Sequence, residues 1–201
     1  SNTKQGNTGR KRVIRWASVA AAVIIGVFGI SMTSEANRAY IMREMNELFG
    51  NDVNTRVNNN EVLESDRTEQ YACEKIENTL DMKMPRFFYM PDKMKYQDYI
   101  IDEGAETGIL QYVYDEQIVF LMALPNEKRS SFLSQNDSGI LIETFQNDFI
   151  PDLKITLWEI EDKEDEMPMY SLKWEYRNCY YEFLGKIEKD EMENIAENIL
   201  Y

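Results

Sequence analysis

The chain of 201 residues contains no histidine. That removes the Ser-His-Asp triad, the Cys-His pair and every His-ligated metal centre. Only two cysteines are present, Cys73 and Cys179. Two thiols cannot complete a structural zinc site or a cysteine-ligated iron–sulfur cluster. Bases are scarce: 22 Lys and Arg stand against 36 Asp and Glu, a net charge of −14. Binding to nucleic acid draws on cationic side chains, so a nucleic-acid partner is not expected. The chain also has no glycine-rich phosphate loop, no dinucleotide fingerprint and no G-x-S-x-G context around Ser130, Ser131 or Ser134. Neither an enzyme nor a cofactor is expected from such a sequence.

What is present is a strong asymmetry. Lys4, Arg10, Lys11, Arg12 and Arg15 give the segment 1–32 a charge of +5 with no acid. The segment 33–201 holds 22 − 5 = 17 bases and all 36 acids, which is −19. Between the two regimes runs Trp16 to Met32, uncharged and mostly apolar. As a helix it would be about 25 Å long, near the lower limit for a bilayer core of about 30 Å. Val13 and Ile14 extend it if Arg15 snorkels to the headgroups. Residues 13–33 are therefore expected to cross the cell membrane once. The basic residues 1–12 stay cytoplasmic and the rest lies outside. A signal peptide cleaved near Ser34-Glu35-Ala36 is the main rival reading, and a buried soluble helix is another.

Residues 34–64 form a juxtamembrane region. Glu35 to Phe49 is expected to be helical, with Tyr40, Ile41, Met45, Leu48 and Phe49 on one side. A helix running on from the apolar segment favours an anchor over cleavage. The asparagine-rich stretch Asn51 to Asn60 reads as a loop.

Residues 65–201 read as an α+β domain. A helix is expected from Ser65, its cap, to Met82, with Ala72, Cys73, Ile76 and Leu80 as its apolar stripe. The period then falls to two. Strands are expected over Arg86–Met90, Tyr96–Asp102, Gly108–Tyr114, Gln117–Leu124, Gly139–Gln146, Leu153–Ile160, Met169–Tyr176 and Tyr180–Gly185. Asp115-Glu116 has the length of a tight hairpin turn. Such close spacing leaves no room for helical crossovers, so a curved antiparallel sheet of about six to eight strands follows. A final helix is expected with Asp190 as N-cap, Glu193 completing a capping box and Ile187 as a staple. Met192, Ile195, Ala196, Ile199 and Leu200 form its stripe. Both helices should pack on one face of the sheet.

Candidate sites are few. Cys73 and Cys179 either form a disulfide outside the membrane or stay as two free thiols, the latter being the main expectation. The acidic run Glu161 to Glu166 lacks the glycine and closing glutamate of a calcium loop and reads as a solvated turn. With 36 acids some carboxylates must lie close together, and no spacing selects a catalytic pair. Aromatic residues crowd the strands. Tyr112, Tyr114, Trp158, Trp174 and Tyr176 are candidates for a peptide- or glycan-binding surface, against ordinary sheet packing as the alternative.

One resemblance emerges from Met84-Pro-Arg-Phe-Phe-Tyr-Met-Pro91, Trp174-Glu-Tyr176, Tyr180-Tyr-Glu-Phe-Leu-Gly185 and the closing helix. Residues 65–201 resemble the extracytoplasmic C-terminal domain, of unknown function, in clostridial membrane-anchored anti-sigma-factor-like proteins. The resemblance implies a sensing or binding domain, with a protein partner in a signalling pathway or a cell-wall ligand. It supplies no catalytic residue. The basic segment 1–12 is too short for a sigma-binding domain, so a longer N-terminal part would strengthen the anti-sigma expectation.

Overall fold

The computed structural model describes residues 68–127, 139–160 and 167–201. The expected membrane span 13–33, the juxtamembrane helix 35–49, Ser65 and the acidic run 161–166 lie outside them. Among the described residues no helix is long and apolar enough to cross a membrane.

Helix α1 spans Glu69–Leu80. Its N-cap is Thr68, whose hydroxyl accepts from the Tyr71 amide at 3.2 Å. Asp81 ends it in a left-handed conformation, φ 51°. The described helix therefore ends before Met82. Ala72, Cys73 and Ile76 are buried, as their spacing predicts.

Among the described residues nine strands follow: β1 (Arg86–Phe87), β2 (Met94–Asp102), β3 (Thr107–Tyr114), β4 (Gln117–Pro125), β5 (Ile140–Gln146), β6 (Lys154–Ile160), β7 (Met169–Tyr176), β8 (Cys179–Gly185) and β9 (Ile199–Leu200). Helix α2, Lys189–Glu197, lies between β8 and β9. Seven strands form one sheet in the order β2-β3-β4-β8-β7-β6-β5, every pair antiparallel. The expected α+β class stands and the large sheet falls within the expected six to eight strands, whereas β9 was not expected.

Two hairpins have two-residue turns in which both residues have positive φ: Asp115 and Glu116 (48° and 69°), and Arg177 and Asn178 (48° and 68°). That is the turn whose twist matches a right-twisted ladder.

Three expectations need correction. The strand at Arg86 stops at Phe87, because β1 pairs only with the two-residue β9. The last helix has Glu188, not Asp190, as N-cap, and no side chain caps it. It also stops at Glu197, and Ile199 and Leu200 leave the helix to pair with Phe87 and Arg86. Ile187 and Met192, the two members of the staple, are both in the core.

Alternation divides the sheet into two faces. Leu110, Tyr112 and Tyr114 of β3, Val119, Leu121 and Ala123 of β4, and Tyr181 and Phe183 of β8 join α1 and α2 in one core. Both helices thus pack on the same face. Gly108 and Gly185 make room on that face. A Cβ on Gly108 would meet Ile76 Cγ2 at 2.5 Å, and one on Gly185 would meet Val119 Cγ2 at 2.6 Å.

Candidate functional site

The five nominated aromatics do not make a common surface. Tyr112, Tyr114 and Trp174 are buried on the helix face, which corrects their assignment to a binding surface. The reason is topological. They lie on β3 and β7, inside the sheet, with the helices above them. Trp158 and Tyr176 are half-buried.

The buried rings tie the helices to the sheet. The Tyr112 hydroxyl donates to Glu69 in the first turn of α1 at 2.8 Å. Tyr114 donates to Glu188 at the N-cap of α2, and the half-buried Tyr89, in the segment after β1, donates to Glu191 in the first turn of α2. Three phenols therefore hold carboxylates at the helix N-termini, where negative charge is favoured. Burial pushes the Tyr112 phenol well above its usual value. The Tyr114 hydrogen bond holds the Glu188 carboxyl below its usual range. At the sheet's other end Trp174 donates to the Tyr201 hydroxyl at 2.7 Å, and Tyr176 stacks on Tyr201 with centroids 3.8 Å apart.

Cys73 and Cys179 are both free and buried, so the possible disulfide is absent. Cys73 lies on α1 above β2 and β3, whereas Cys179 begins β8. Burial raises the Cys73 thiol to about 12 and shifts Cys179 the same way. Thiols this reluctant to ionise are poor nucleophiles at neutral pH.

The opposite face holds a polar cluster that no motif announced. Glu182 sits in β8, opposite Met122 of β4 and Lys173 of β7. Ser171 donates to one carboxylate oxygen at 2.5 Å and Tyr180 to the other at 3.2 Å. Lys173 Nζ lies 4.0 Å from the first oxygen and 4.9 Å from the centre of the Trp158 ring. Trp158 donates to Thr156, whose hydroxyl donates to the Lys173 carbonyl. Ser171, Tyr180 and Glu182 are all buried. The carboxylate is satisfied on both oxygens and closed to solvent, so this cluster fixes the register of β7 and β8. Among the described residues no group of acids and cysteines is arranged to hold a metal ion.

The open feature is at the sheet's edge. Among the described residues β5 is the last strand, paired only with β6. Ile140, Leu141 and Ile142 are 68%, 49% and 38% exposed. Past the other end of β5, Phe149 is 48% exposed and packs on Phe88, itself 72% exposed, with ring centroids 5.6 Å apart. Large apolar side chains gathered along one edge mark an interaction surface. The register slips between Leu141 and Glu143, which re-aims this part of the strand.

Asn147 fixes the Phe149 end. Its Nδ2 donates to the carbonyls of Ala196, Glu197 and Ile199 at 3.2, 3.3 and 3.0 Å. Its Oδ1 accepts from the amides of Phe149 and Ile150 at 3.0 and 2.8 Å. One buried amide thus ties the β5–β6 turn to the end of α2. Acids surround the edge: Glu143, Asp148 and Asp152 are exposed, and Glu143 lies 3.7 Å from Lys189.

Sequence reasoning missed the edge for a specific reason. Ile140-Leu141-Ile142 is a continuous apolar run, the pattern of a strand buried on both faces. Only the strand order reveals that it lies outside.

Comparison with known proteins gives no match among curated proteins and none among solved structures. One family model matches residues 84–199, more than half of the chain. The matched segment runs from the Met84-Pro85 entry through all seven strands of the large sheet to Ile199 of β9. The chain therefore belongs to the DUF4367 family, a domain of unknown function.

Proposed function

We propose that this chain is a sensing or binding domain, held outside the cell membrane by residues 13–33, that recognises an extended segment of a protein partner along β5. It acts by binding, without a catalytic step. The observation that carries this reading is the exposure of Ile140, Leu141 and Ile142 on the edge strand of an otherwise well-packed sheet. An added strand takes its affinity from main-chain hydrogen bonds and its specificity from alternate side chains. The acidic surroundings, in a region carrying −19 over residues 33–201, favour a partner segment that mixes apolar and basic residues.

A glycan platform has less support, because Tyr112, Tyr114 and Trp174 are in the core. The resemblance to anti-sigma-factor-like proteins gives the setting in which partner recognition outside becomes a signal inside.

Two experiments test the reading. Carbonate extraction of cells expressing the full chain should leave it in the membrane fraction; release into the soluble fraction would refute the anchor. Fluorescence anisotropy with a labelled peptide of alternating valine and lysine should detect binding that Leu141→Lys weakens at least tenfold. Equal binding by the variant, or no binding by either protein, would refute recognition at β5.

A further inference from the structure

Among the described residues the large sheet has two outer strands, β2 and β5. On β2 the exposed charges Lys95 and Asp98 flank a bulge. Charges and bulges are the common means of keeping an edge from pairing. β5 carries one charge, Glu143, at the midpoint of Ile140–Gln146.

The register fixes where Glu143 points. The pairing slips past Ile142, so Ile140, Glu143 and Phe145 stand opposite Glu159, Leu157 and Ile155 of β6. Leu157 and Ile155 are fully buried in the helix-side core. Glu143 therefore leans towards α2, where Lys189 Nζ lies 3.7 Å from its carboxylate. Leu141, Thr144 and Gln146 face the other way. The ion pair with Lys189 is loose. Lys189 is held closer, at 2.7 Å, by Glu193 of its own helix, and the Glu143 side chain stays 49% exposed. Lys189 can release Glu143 and still keep a carboxylate.

The midpoint position decides what β5 can accept. A second copy of β5, antiparallel and aligned over the whole strand, would set Glu143 against Glu143. Like charges directly opposite destabilise a strand pair. A Lys or Arg there meets an exposed carboxylate instead, and its apolar stem can lie along Ile140.

We propose that Glu143 selects the partner of β5. The strand accepts an extended segment that sets a Lys or Arg opposite Glu143, and this cation takes over the carboxylate while Lys189 stays with Glu193. The inference rests on β5 as the recognition edge and names the residue that makes the edge selective. An apolar segment without that cation, or a second copy of this chain, is turned away.

Fluorescence anisotropy on the full chain in detergent micelles tests this, with labelled alternating valine–lysine and valine–glutamate peptides. The native chain should prefer the lysine peptide. Glu143→Lys should reverse the preference and shift the ratio of the two affinities by about tenfold or more. Asp148→Lys makes the same change of charge beyond the end of β5. At about 0.15 M salt it should shift the ratio by no more than about threefold, because distant exposed charges are screened. If Glu143→Lys does not fold, Glu143→Gln keeps the shape and should still lower the ratio about threefold.

Lys189→Gln removes the competing cation and should tighten the lysine peptide more than Lys154→Gln, an equal loss of charge at the other end of β5. Equal shifts from Glu143→Lys and Asp148→Lys, or a Lys189→Gln effect no larger than that of Lys154→Gln, overturn the proposal and leave β5 an unselective edge. Tighter binding of a peptide of residues 139–147 than of the lysine peptide would make a second copy the occupant and overturn it as well. Binding of neither alternating peptide to any of these proteins refutes recognition at β5 itself, and this proposal with it.

Discussion

Gly108→Ala probes how α1 sits on the sheet. Gly108 opens β3 on the helix face, directly beneath Ile76, which is fully buried. The added methyl would lie 2.5 Å from Ile76 Cγ2 and 3.4 Å from both Cγ1 and Cδ1. The Cγ2 atom is bonded to Cβ, so no χ2 rotation moves it away, and χ1 of a β-branched residue in a helix is held in one rotamer, so the helix itself must shift. Overpacking of this kind costs about 1–3 kcal/mol. Replacing glycine at an unstrained position returns about 0.4–1 kcal/mol through the unfolded chain. The net expectation is a loss of about 1–2 kcal/mol. At about 3–5 °C per kcal/mol for a domain of this size, Tm falls by roughly 3–10 °C.

Urea unfolding of the single and double variants isolates the cause. Ile76→Ala alone should cost about 2–5 kcal/mol by opening a cavity. In that background Gly108→Ala should cost nothing or stabilise slightly, giving a coupling energy of about 1–2 kcal/mol. Ile76→Val keeps Cγ2 and should give no such relief. If Gly108→Ala costs the same in all three backgrounds, the contact with Ile76 is not what requires glycine.

Three further outcomes follow from the buried polar groups. Asn147→Leu removes the side-chain donor to the Ala196, Glu197 and Ile199 carbonyls, of which Glu197 still accepts from the Asp148 amide, and the acceptor of the Phe149 and Ile150 amides; a loss of about 2–4 kcal/mol is expected in urea unfolding, and a loss under about 0.5 kcal/mol would refute its role. Both cysteines should titrate with Ellman's reagent only after denaturation, and the intact mass should correspond to two free thiols. Burial raises the phenols of Tyr112 and Tyr181, so the neutral form is the one the fold stabilises. Their contribution is complete below the unfolded value near 10 and is lost as pH rises beyond it. Phenolate absorbance at 295 nm should therefore rise together with unfolding; a smooth titration of every tyrosine near pH 10 with the fold intact would refute this.

Much of the fold was legible because local chemistry enforced it. The alternation in Tyr96–Asp102 and Gly108–Tyr114, and the two-residue connection at Asp115-Glu116, allow little but an antiparallel meander. The 3.6 period of Ala72, Cys73 and Ile76 marks the buried stripe of α1. The end of α2 was less legible. Ile199 and Leu200 continue a helical period, yet Ile199 is buried and pairs as a strand with Phe87. That partner strand lies at the opposite end of the domain's sequence, before all seven strands of the large sheet, and no local pattern carries that information.

The candidate site was the least legible part. Aromatic content marked Tyr112, Tyr114 and Trp174, which topology then placed beneath the helices. Burial depends on which strands become central, and that follows from β8 returning to pair with β4.

By itself the sequence determined that the chain has no histidine chemistry, that its charge is split into +5 and −19, and that the fold is of the α+β class with antiparallel strands. These are consequences of composition and of short-range periodicity. Only the tertiary structure decided that the cysteines stay apart, that Glu182 is enclosed, and that Ile140 to Ile142 lie on an edge. Each depends on the order of strands in the sheet, which is fixed by contacts between residues far apart in the chain.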